Sequence, residues 1–240
     1  VITMSTPYRH VENARSFEPT DRYATLRTEC PVHHEADHDP PFFVLSRFDD
    51  IVDAVRQHDH WLNGQGPGVY HQSGGVLGTT DEPDHSRHRR ILRSAFVPTA
   101  IERLAPRITE FADALLDELL PYGTDDYGEG DWVEAFAAPL PAMAIAELLV
   151  VGDEHRDDFH RWSSDAVNAL TGGDLDRYAA AKAAIEDVVE GGADERDASS
   201  AAGDTPPADV LGLLADARRA GTIDTRELRH IGYQLLVAGH

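Results

Sequence analysis

The sequence has 240 residues, of which 41% are hydrophobic and 8% aromatic, and this composition is typical of a globular protein with a sizeable buried core. Its formal net charge is −22, from 43 acidic against 21 basic residues. An acidic surface of this size disfavours binding to nucleic acid or to an anionic membrane, because both require positive charge on the protein.

The first third of the sequence predicts two short helices and one pair of strands. A polar helix is predicted over residues 21–29. Residues 42–45 (FFVL) have the composition of a strand, and residues 32–35 pair with them across a turn near Asp39 and Pro40. A second helix is predicted from Asp49, because apolar residues then recur on one helical face.

The segment HEADH, residues 34–38, matches the H-E-x-x-H pattern of zinc proteases. That pattern binds zinc only on a helix, where both histidines share a face. Pro31 precedes the segment, residues 39–41 are Asp-Pro-Pro, and no apolar stripe would bury a helix there. We therefore predict an exposed strand and turn, and no metal site. Cys30 is the only cysteine, so no intramolecular disulfide forms, and no electropositive pocket activates it as a nucleophile.

A long loop and two helices are predicted in the middle of the chain. Residues 62–80, here called the glycine-rich loop, lack periodicity, and loops of this length in compact domains are usually functional or disordered. Residues 81–96 (DEPDHSRHRRILRSAF) are predicted to be helical, with acidic residues and Pro83 at the entry. Thr99 and Glu102 match a T-x-x-E capping box before a long helix with one apolar stripe.

The second half of the sequence predicts a succession of helices with one interruption. These helices are predicted over residues 139–151, 153–170, 174–189, 206–221 and 224–240. Asp224 and Glu227 cap the last of them. Residues 191–207 are acidic and of low complexity, which predicts a mobile surface loop within one domain spanning residues 1–240.

Three segments, in this order, carry a resemblance to a known family. Residues 81–96 have an acidic-Pro-acidic-His opening followed by Arg four residues after the His; residues 131–162 run from an acidic-aromatic start through Pro-x-Pro to an apolar helix and a Gly-acidic break. Residues 211–240 form a helix pair ending in Ala-Gly. Together they resemble the soluble bacterial cytochromes P450. The resemblance implies a mainly α, incomplete cytochrome P450 fold with a small strand pair near the N-terminus. Because the sequence begins with Val1 and stops at His240 inside an apolar pattern, we expect an N-terminal fragment ending in the family's central helix.

The first of these segments holds two candidate cofactor residues. His85 and Arg89 lie four residues apart, so they share one helix face at about 6 Å. The resemblance implies that they hold the two propionates of haem b, since buried carboxylates need charged hydrogen-bond partners and Arg can bind one bidentately. A solvated His and Arg on an exposed helix are the alternative. Arg87 and Arg90 point away from this face by helical geometry. The resemblance implies that a basic patch here meets an acidic electron donor, and a solvated face is the alternative.

Candidate oxygen and substrate residues follow from the same resemblance. Gly239 is predicted inside a helix, where Gly costs roughly 1 kcal/mol relative to Ala, so a packing or functional reason is expected. In the family an Ala-Gly pair lies over the haem iron, and this implies an oxygen-site role for Ala238 and Gly239. Leu235 either lines the substrate pocket or packs in the core. Val76 and Leu77 of the glycine-rich loop are predicted substrate contacts.

The resemblance implies a cytoplasmic haem-thiolate monooxygenase that inserts one atom of O2 into an apolar organic substrate. Electrons would come from a ferredoxin or flavoprotein, and no membrane anchor is expected, since the longest apolar run contains Glu147 and is too short to span a bilayer. The axial Cys ligand should lie outside this sequence, because the surroundings of Cys30 do not match it, so these 240 residues alone are expected to be inactive. The alternative is a non-catalytic acidic helical protein that binds a basic partner. Acidity with one lysine, Lys182, fits either a high-salt habitat or a GC-rich genome.

Overall fold

The computed structural model describes residues 21–66, 68, 74–119, 131–149, 155–172, 174–202 and 209–239. The chain forms two compact units, Val1–Glu82 and Pro83–His240. The assignment of residues 1–240 to one domain stays a prediction.

The first unit contains two helices and a two-stranded antiparallel sheet. Its elements in chain order are α1 (Asp21–Glu29), β1 (Val32–Glu35), β2 (Phe42–Leu45) and α2 (Phe48–Arg56), followed by a 3-10 turn at Leu77–Thr79. Val32 pairs with Leu45 and Glu35 with Phe42, so the predicted strand pair is confirmed in its bounds, and the two strands are antiparallel.

The HEADH segment is a strand that runs into a turn. Glu35 is buried, forms an ion pair with Arg22, and lies 3.2 Å from His33 Nε2. His34 stacks on Phe43 with ring centroids 4.4 Å apart, while His38 Nδ1 lies 2.8 Å from the Pro40 carbonyl oxygen. The two histidines of the pattern thus have separate partners, and the helix that zinc binding requires is not formed.

The second unit is a helical assembly around its last helix. Its elements are α3 (Asp84–Leu92), a 3-10 turn (Arg93–Phe96), α4 (Pro98–Glu102), α5 (Ala105–Leu119), a π-helical turn (Val133–Ala137), α6 (Pro139–Leu149), α7 (Arg156–Gly172), α8 (Leu175–Ala201), α9 (Val210–Arg219) and α10 (Thr225–Ala238). Helix α10 packs against α6, α7, α8 and α9. Its buried face carries Leu228, Ile231 and Leu236, so the helix predicted to be central lies in the core of this unit.

The capping box predicted at Thr99 and Glu102 is wrong. Pro98 occupies the first turn of α4, so Val97 is the N-cap, and no side chain of Val97 can cap the helix. Proline favours that place because its fixed φ suits the first turn and no N–H is lost from the helix. The long helix that follows, α5, starts only at Ala105.

The mobile loop predicted over residues 191–207 is wrong for residues 191–201, which continue α8. Local propensity is weak there, but tertiary packing supplies what the sequence pattern lacks. Ala193 is fully buried, and a Cβ at Gly192 would lie 2.6 Å from Leu211 Cδ1, so glycine permits the close approach of α9.

A buried ion pair also holds the end of α8. Arg196 Nη2 lies 3.0 Å from Asp209 Oδ2, and Arg196 Nη1 donates to the Gly192 carbonyl oxygen at 2.9 Å. Asp209 is also the N-cap of α9, where its Oδ1 accepts from the Gly212 N–H at 2.6 Å. One carboxylate therefore caps one helix and anchors another. Residues 203–207 of the predicted loop lie outside the described residues.

Candidate functional site

Helix α3 presents the two predicted propionate contacts beside solvent. His85 is half-buried and Arg89 is exposed, and the spacing places them on one face. Within the described part of the chain, the Arg89 guanidinium has no hydrogen bond or ion pair. On the other side of the helix, His88 and Leu92 are buried and fix α3 to the unit. Among the described residues, this face of α3, here called the open face, therefore carries a positive charge without an ion-pair partner next to an imidazole.

Arg87 lies away from that face, as predicted, and its guanidinium is held by groups of its own chain. Its Nη2 donates to Glu227 Oε1 at 2.6 Å and to Asp84 Oδ1 at 2.9 Å, and its Nη1 donates to the Thr222 carbonyl oxygen at 2.6 Å. Three acceptors of its own chain hold this guanidinium, although the side chain remains 28% exposed, and this favours an internal role for Arg87. Its part in binding an electron donor stays a prediction. Arg90, in contrast, is exposed.

Glu227 joins α3 to the start of α10. Its Oε1 lies 3.1 Å from Nε2 of His88, whose side chain is 1% exposed. Its Oε2 accepts from the Asp224 N–H at 3.0 Å, and Asp224 Oδ1 accepts in return from the Glu227 N–H at 2.7 Å. The predicted capping box of α10 is therefore confirmed. The hydrogen bond from Arg87 lowers the pKa of Glu227 from 4.5 to about 2, against burial, which acts in the opposite direction.

The C-terminal end of α10 differs from the prediction at Gly239. The helix ends at Ala238, which is exposed, and Gly239 is the C-cap, whose N–H donates to the Leu236 carbonyl oxygen at 3.2 Å. Gly239 therefore lies at the end of the described helix, and not in its interior.

Packing gives Gly239 a reason to lack a side chain. A Cβ at this position would lie 2.3 Å from Ile145 Cγ1 of α6, so Ile145 fills the space beside the glycine. Leu235, one turn earlier, is half-buried. The oxygen-site role of Ala238 and Gly239 and the substrate role of Leu235 stay predictions.

The two predicted substrate contacts of the glycine-rich loop lie in the first unit. Val76 is fully buried, and both its N–H and its carbonyl oxygen are bonded to the Thr79 hydroxyl, at 3.2 and 2.9 Å. Leu77 is half-buried, with a φ of 47°, which is uncommon for a residue with a side chain. Of the two, Leu77 has the more accessible side chain, and the substrate role of both stays a prediction.

No cluster of three or more His, Cys, Asp or Glu residues capable of holding a metal ion occurs among the described residues. Cys30 is exposed, and its Sγ lies 3.5 Å from the Val32 carbonyl oxygen at the start of the strand pair. No described helix is both long enough and apolar enough to cross a membrane.

Sequence reasoning missed the link between Arg87, His88 and Glu227. Glu227 was identified as a capping residue, which is a local signal, but its partner Arg87 is 140 positions away. No periodicity connects residues so far apart. The available hint was chemical, since an Arg turned away from the predicted cofactor face needs another acceptor if it is not fully solvated.

Comparison with known proteins agrees with this fold. No family model matches the chain. The chain is 36% identical to vitamin D(3) 25-hydroxylase of Pseudonocardia autotrophica over 157 residues, which cover 62% of this chain and 38% of the relative. It is 35% identical to cytochrome P450 107B1 of Saccharopolyspora erythraea over 176 residues, covering 72% and 40% of the two chains. The matched segments thus cover well under half the length of these two relatives.

Solved structures give the same answer for the fold. The LnmA cytochrome P450 hydroxylase of Streptomyces atroolivaceus superposes with a TM-score of 0.75 at 24% identity, over 97% of this chain and 58% of that one. The mainly helical fold with one small sheet is therefore that of part of a cytochrome P450, and the predicted fold class is confirmed. With relatives above 30% identity as well, the chain belongs to the cytochrome P450 family.

Proposed function

We propose that the polypeptide to which this chain belongs is a haem-thiolate monooxygenase that inserts one oxygen atom from O2 into a small apolar organic substrate. The observation that carries the proposal is the open face of α3, where Arg89 is exposed and unpaired within the described residues beside half-buried His85. The relatives named above, a hydroxylase and a cytochrome P450, support the same reaction class.

The residues on this face fit the propionates of haem b. A propionate is a carboxylate, and the guanidinium fork of Arg89 can bind it through two parallel hydrogen bonds. His85, one turn away, can donate a ring N–H to the second propionate. When bound, the haem supplies the redox-active iron at which O2 is activated. The cysteine ligand of that iron would come from outside residues 1–240, because Cys30 lies between α1 and β1 in the first unit.

Helix α10 would shape the apolar side of the reaction site. Leu235 and Ala238 offer apolar surface at its C-terminal end, where they would exclude water from the substrate. Val76 and Leu77 are our proposed contacts from the glycine-rich loop, of which Leu77 is the more exposed.

The electron donor would bind near the C-terminal end of α3. Arg90 and Arg93 are exposed and have no hydrogen bond or ion pair within the described residues. The chain has a net charge of −22, so most of its surface repels an acidic protein. An exposed basic patch would attract such a partner to this place. We propose that a ferredoxin or a flavoprotein is that partner.

The gene itself supplies the first test. Sequencing past the codon for His240 should reveal an acid-Thr pair, then Glu-x-x-Arg, then a glycine-rich loop with a cysteine. The polypeptide made from the complete gene should bind haem and give the carbon monoxide difference spectrum of a thiolate-ligated iron. A complete gene product that contains no haem would overturn the proposal and favour the non-catalytic acidic binding protein.

Arg89 gives a sharper test within that product. Arg89→Gln should lower haem occupancy, because an amide cannot pair with a propionate charge. Arg56→Gln is the matched control, since Arg56 is an exposed arginine in the last turn of α2. Equal haem occupancy in the two variants contradicts the assignment of Arg89.

A further inference from the structure

One turn of α3 carries two pairs of residues with different partners. Taking 100° per residue from His85, Arg89 lies at about 40°, Arg87 at about 200° and His88 at about 300°. His85 and Arg89 are the proposed propionate contacts, whereas Arg87 and His88 both contact Glu227. The orientation of the open face therefore depends on the contacts that Arg87 and His88 make with Glu227 on the opposite side of the helix.

The contacts with Glu227 restrict α3 more than a single ion pair would. Arg87 Nη2 and His88 Nε2 converge on the same oxygen, Oε1, at 2.6 and 3.1 Å. The other nitrogen of the fork, Arg87 Nη1, donates to the Thr222 carbonyl oxygen at 2.6 Å. Because two neighbouring side chains and both arms of a planar fork are engaged, these contacts oppose rotation of α3 about its axis as well as its displacement.

The acceptor is itself held rigidly. Glu227 Oε2 accepts from the Asp224 N–H in the capping box of α10, so this carboxylate cannot rotate away from Arg87 without weakening the cap. The side chains are also shielded, with exposed fractions of 28% for Arg87, 14% for Glu227 and 1% for His88. Partial shielding strengthens these contacts relative to a fully solvated pair.

We infer that Arg87, His88 and Glu227 form a positioning cluster that orients α3, so that His85 and Arg89 face the haem. The cluster touches neither haem nor substrate in this role. It acts through α3, and it gives Arg87 a role distinct from donor binding. The inference rests on the proposed function, since it concerns the same cofactor.

The chain offers a matched control for Arg87. Arg229 also lies on an interface of α10, where it pairs with Asp187 at 2.6 Å and with Glu190 of α8, and its exposed fraction of 27% is close to that of Arg87. Within the described residues, the ion-pair partners of Arg229 lie on α8 and not on α3. Loss of the Arg229 contacts should therefore weaken the fold without turning the proposed haem-contact face.

The experiment compares Arg87→Gln with Arg229→Gln in the holoprotein made from the complete gene. The rate of haem transfer to excess apomyoglobin and the melting temperature are measured for both. Loss of a charged hydrogen-bonded contact predicts haem loss roughly tenfold faster in Arg87→Gln. Arg229→Gln should change that rate less than about twofold, even if its melting temperature falls as far. Equal haem-transfer rates at equal loss of melting temperature overturn the inference.

Glu227→Gln provides a second variant if Arg87→Gln fails to fold. It retains an oxygen for the α10 cap but loses the charge that binds Arg87. The double variant Arg87→Gln with Glu227→Gln should release haem no faster than the faster of the two single variants, because both changes break the same contact. Additive effects of the two changes on the rate of haem release contradict the inference. If the unmodified product holds no haem, the proposed function fails. If it holds haem and neither variant releases it faster, the positioning inference alone fails.

Discussion

At two helix junctions in the second unit, an acidic residue takes part in the N-terminal cap of one helix and binds an arginine of another. At the α8–α9 junction, Asp209 caps α9 and binds Arg196; at the α3–α10 junction, Glu227 completes the cap of α10 and binds Arg87. The first pair is almost fully buried, with side-chain exposures of 10% and 6%, while the second retains 28% and 14%. An acid that caps one helix and anchors another is thus used both to complete a weak helix and to orient a site.

Breaking the buried junction should have the largest effect. Arg196→Met leaves Asp209 charged and without its partner, and loss of one member of a buried pair costs about 3–5 kcal/mol. Helix α8 should lose its end first, because Gly191 and Gly192 have low helix propensity. Native-state hydrogen exchange should therefore show lost protection over residues 192–201.

The control for that experiment removes both charges. In Arg196→Met with Asp209→Asn, no unpaired charge remains and the asparagine still caps α9, so a part of the protection should return. Unchanged exchange in the single variant contradicts the proposed anchoring of α8.

Breaking the half-buried junction should have a smaller effect. Glu227→Ala removes a capping partner and the acceptor for Arg87 and His88, which together contribute about 2–3 kcal/mol to the free energy of unfolding. Denaturant unfolding measures this loss, with Glu190→Ala as the control for an ion pair of α10 that does not touch α3. A loss no greater than that of the control would falsify the idea that α3 depends on this junction.

Acid should erase the difference between Glu227 and its amide. The folded-state pKa of Glu227 is lowered from 4.5 to about 2, so its contribution is complete above the unfolded value and is lost as the pH falls towards the folded value. Glu227→Gln should therefore be less stable than the unmodified protein at pH above about 5, and the gap should narrow below about pH 4. Urea unfolding at both pH values tests this, and a gap that persists at low pH contradicts it.

The smallest effect is expected where ion pairs of the same helices are exposed. Arg219 lies 2.8 Å from Asp197 and 2.9 Å from Asp216, but its side chain is 47% exposed. Exposed pairs contribute little because water and salt screen them. Arg219→Gln should leave the unfolding midpoint unchanged within error in both low and high salt. A clear shift of the unfolding midpoint would mean that the exposure of an ion pair does not determine how much it stabilises these junctions.

Features set by neighbouring residues could be predicted from the sequence. The strand pair follows from turn residues between two short apolar runs, and the cap of α10 follows from Asp224 and Glu227 alone. Proline on both sides of HEADH was enough to reject a helix there. In the same way, the helical period placed Arg87 on the side of α3 away from His85.

Features set by distant residues could not be predicted in this way. The end of α8 is helical because Ala193 is buried and Arg196 meets Asp209, and neither fact is visible in a glycine-containing acidic segment. Arg87 and Glu227 are 140 positions apart and come into contact only when α3 and α10 lie in one folded unit. The misplaced cap of α4 has a local cause, since Pro98 outweighs the T-x-x-E pattern that follows it.

The contact between Gly239 and Ile145 has a consequence for how this protein can diverge. The two residues share one volume, since the isoleucine side chain occupies the space that any Cβ at position 239 would need. A larger residue at one position therefore demands a smaller one at the other. Among natural variants of this chain, the two sites should change together, and an alanine at position 239 should be inherited with a shorter side chain at position 145.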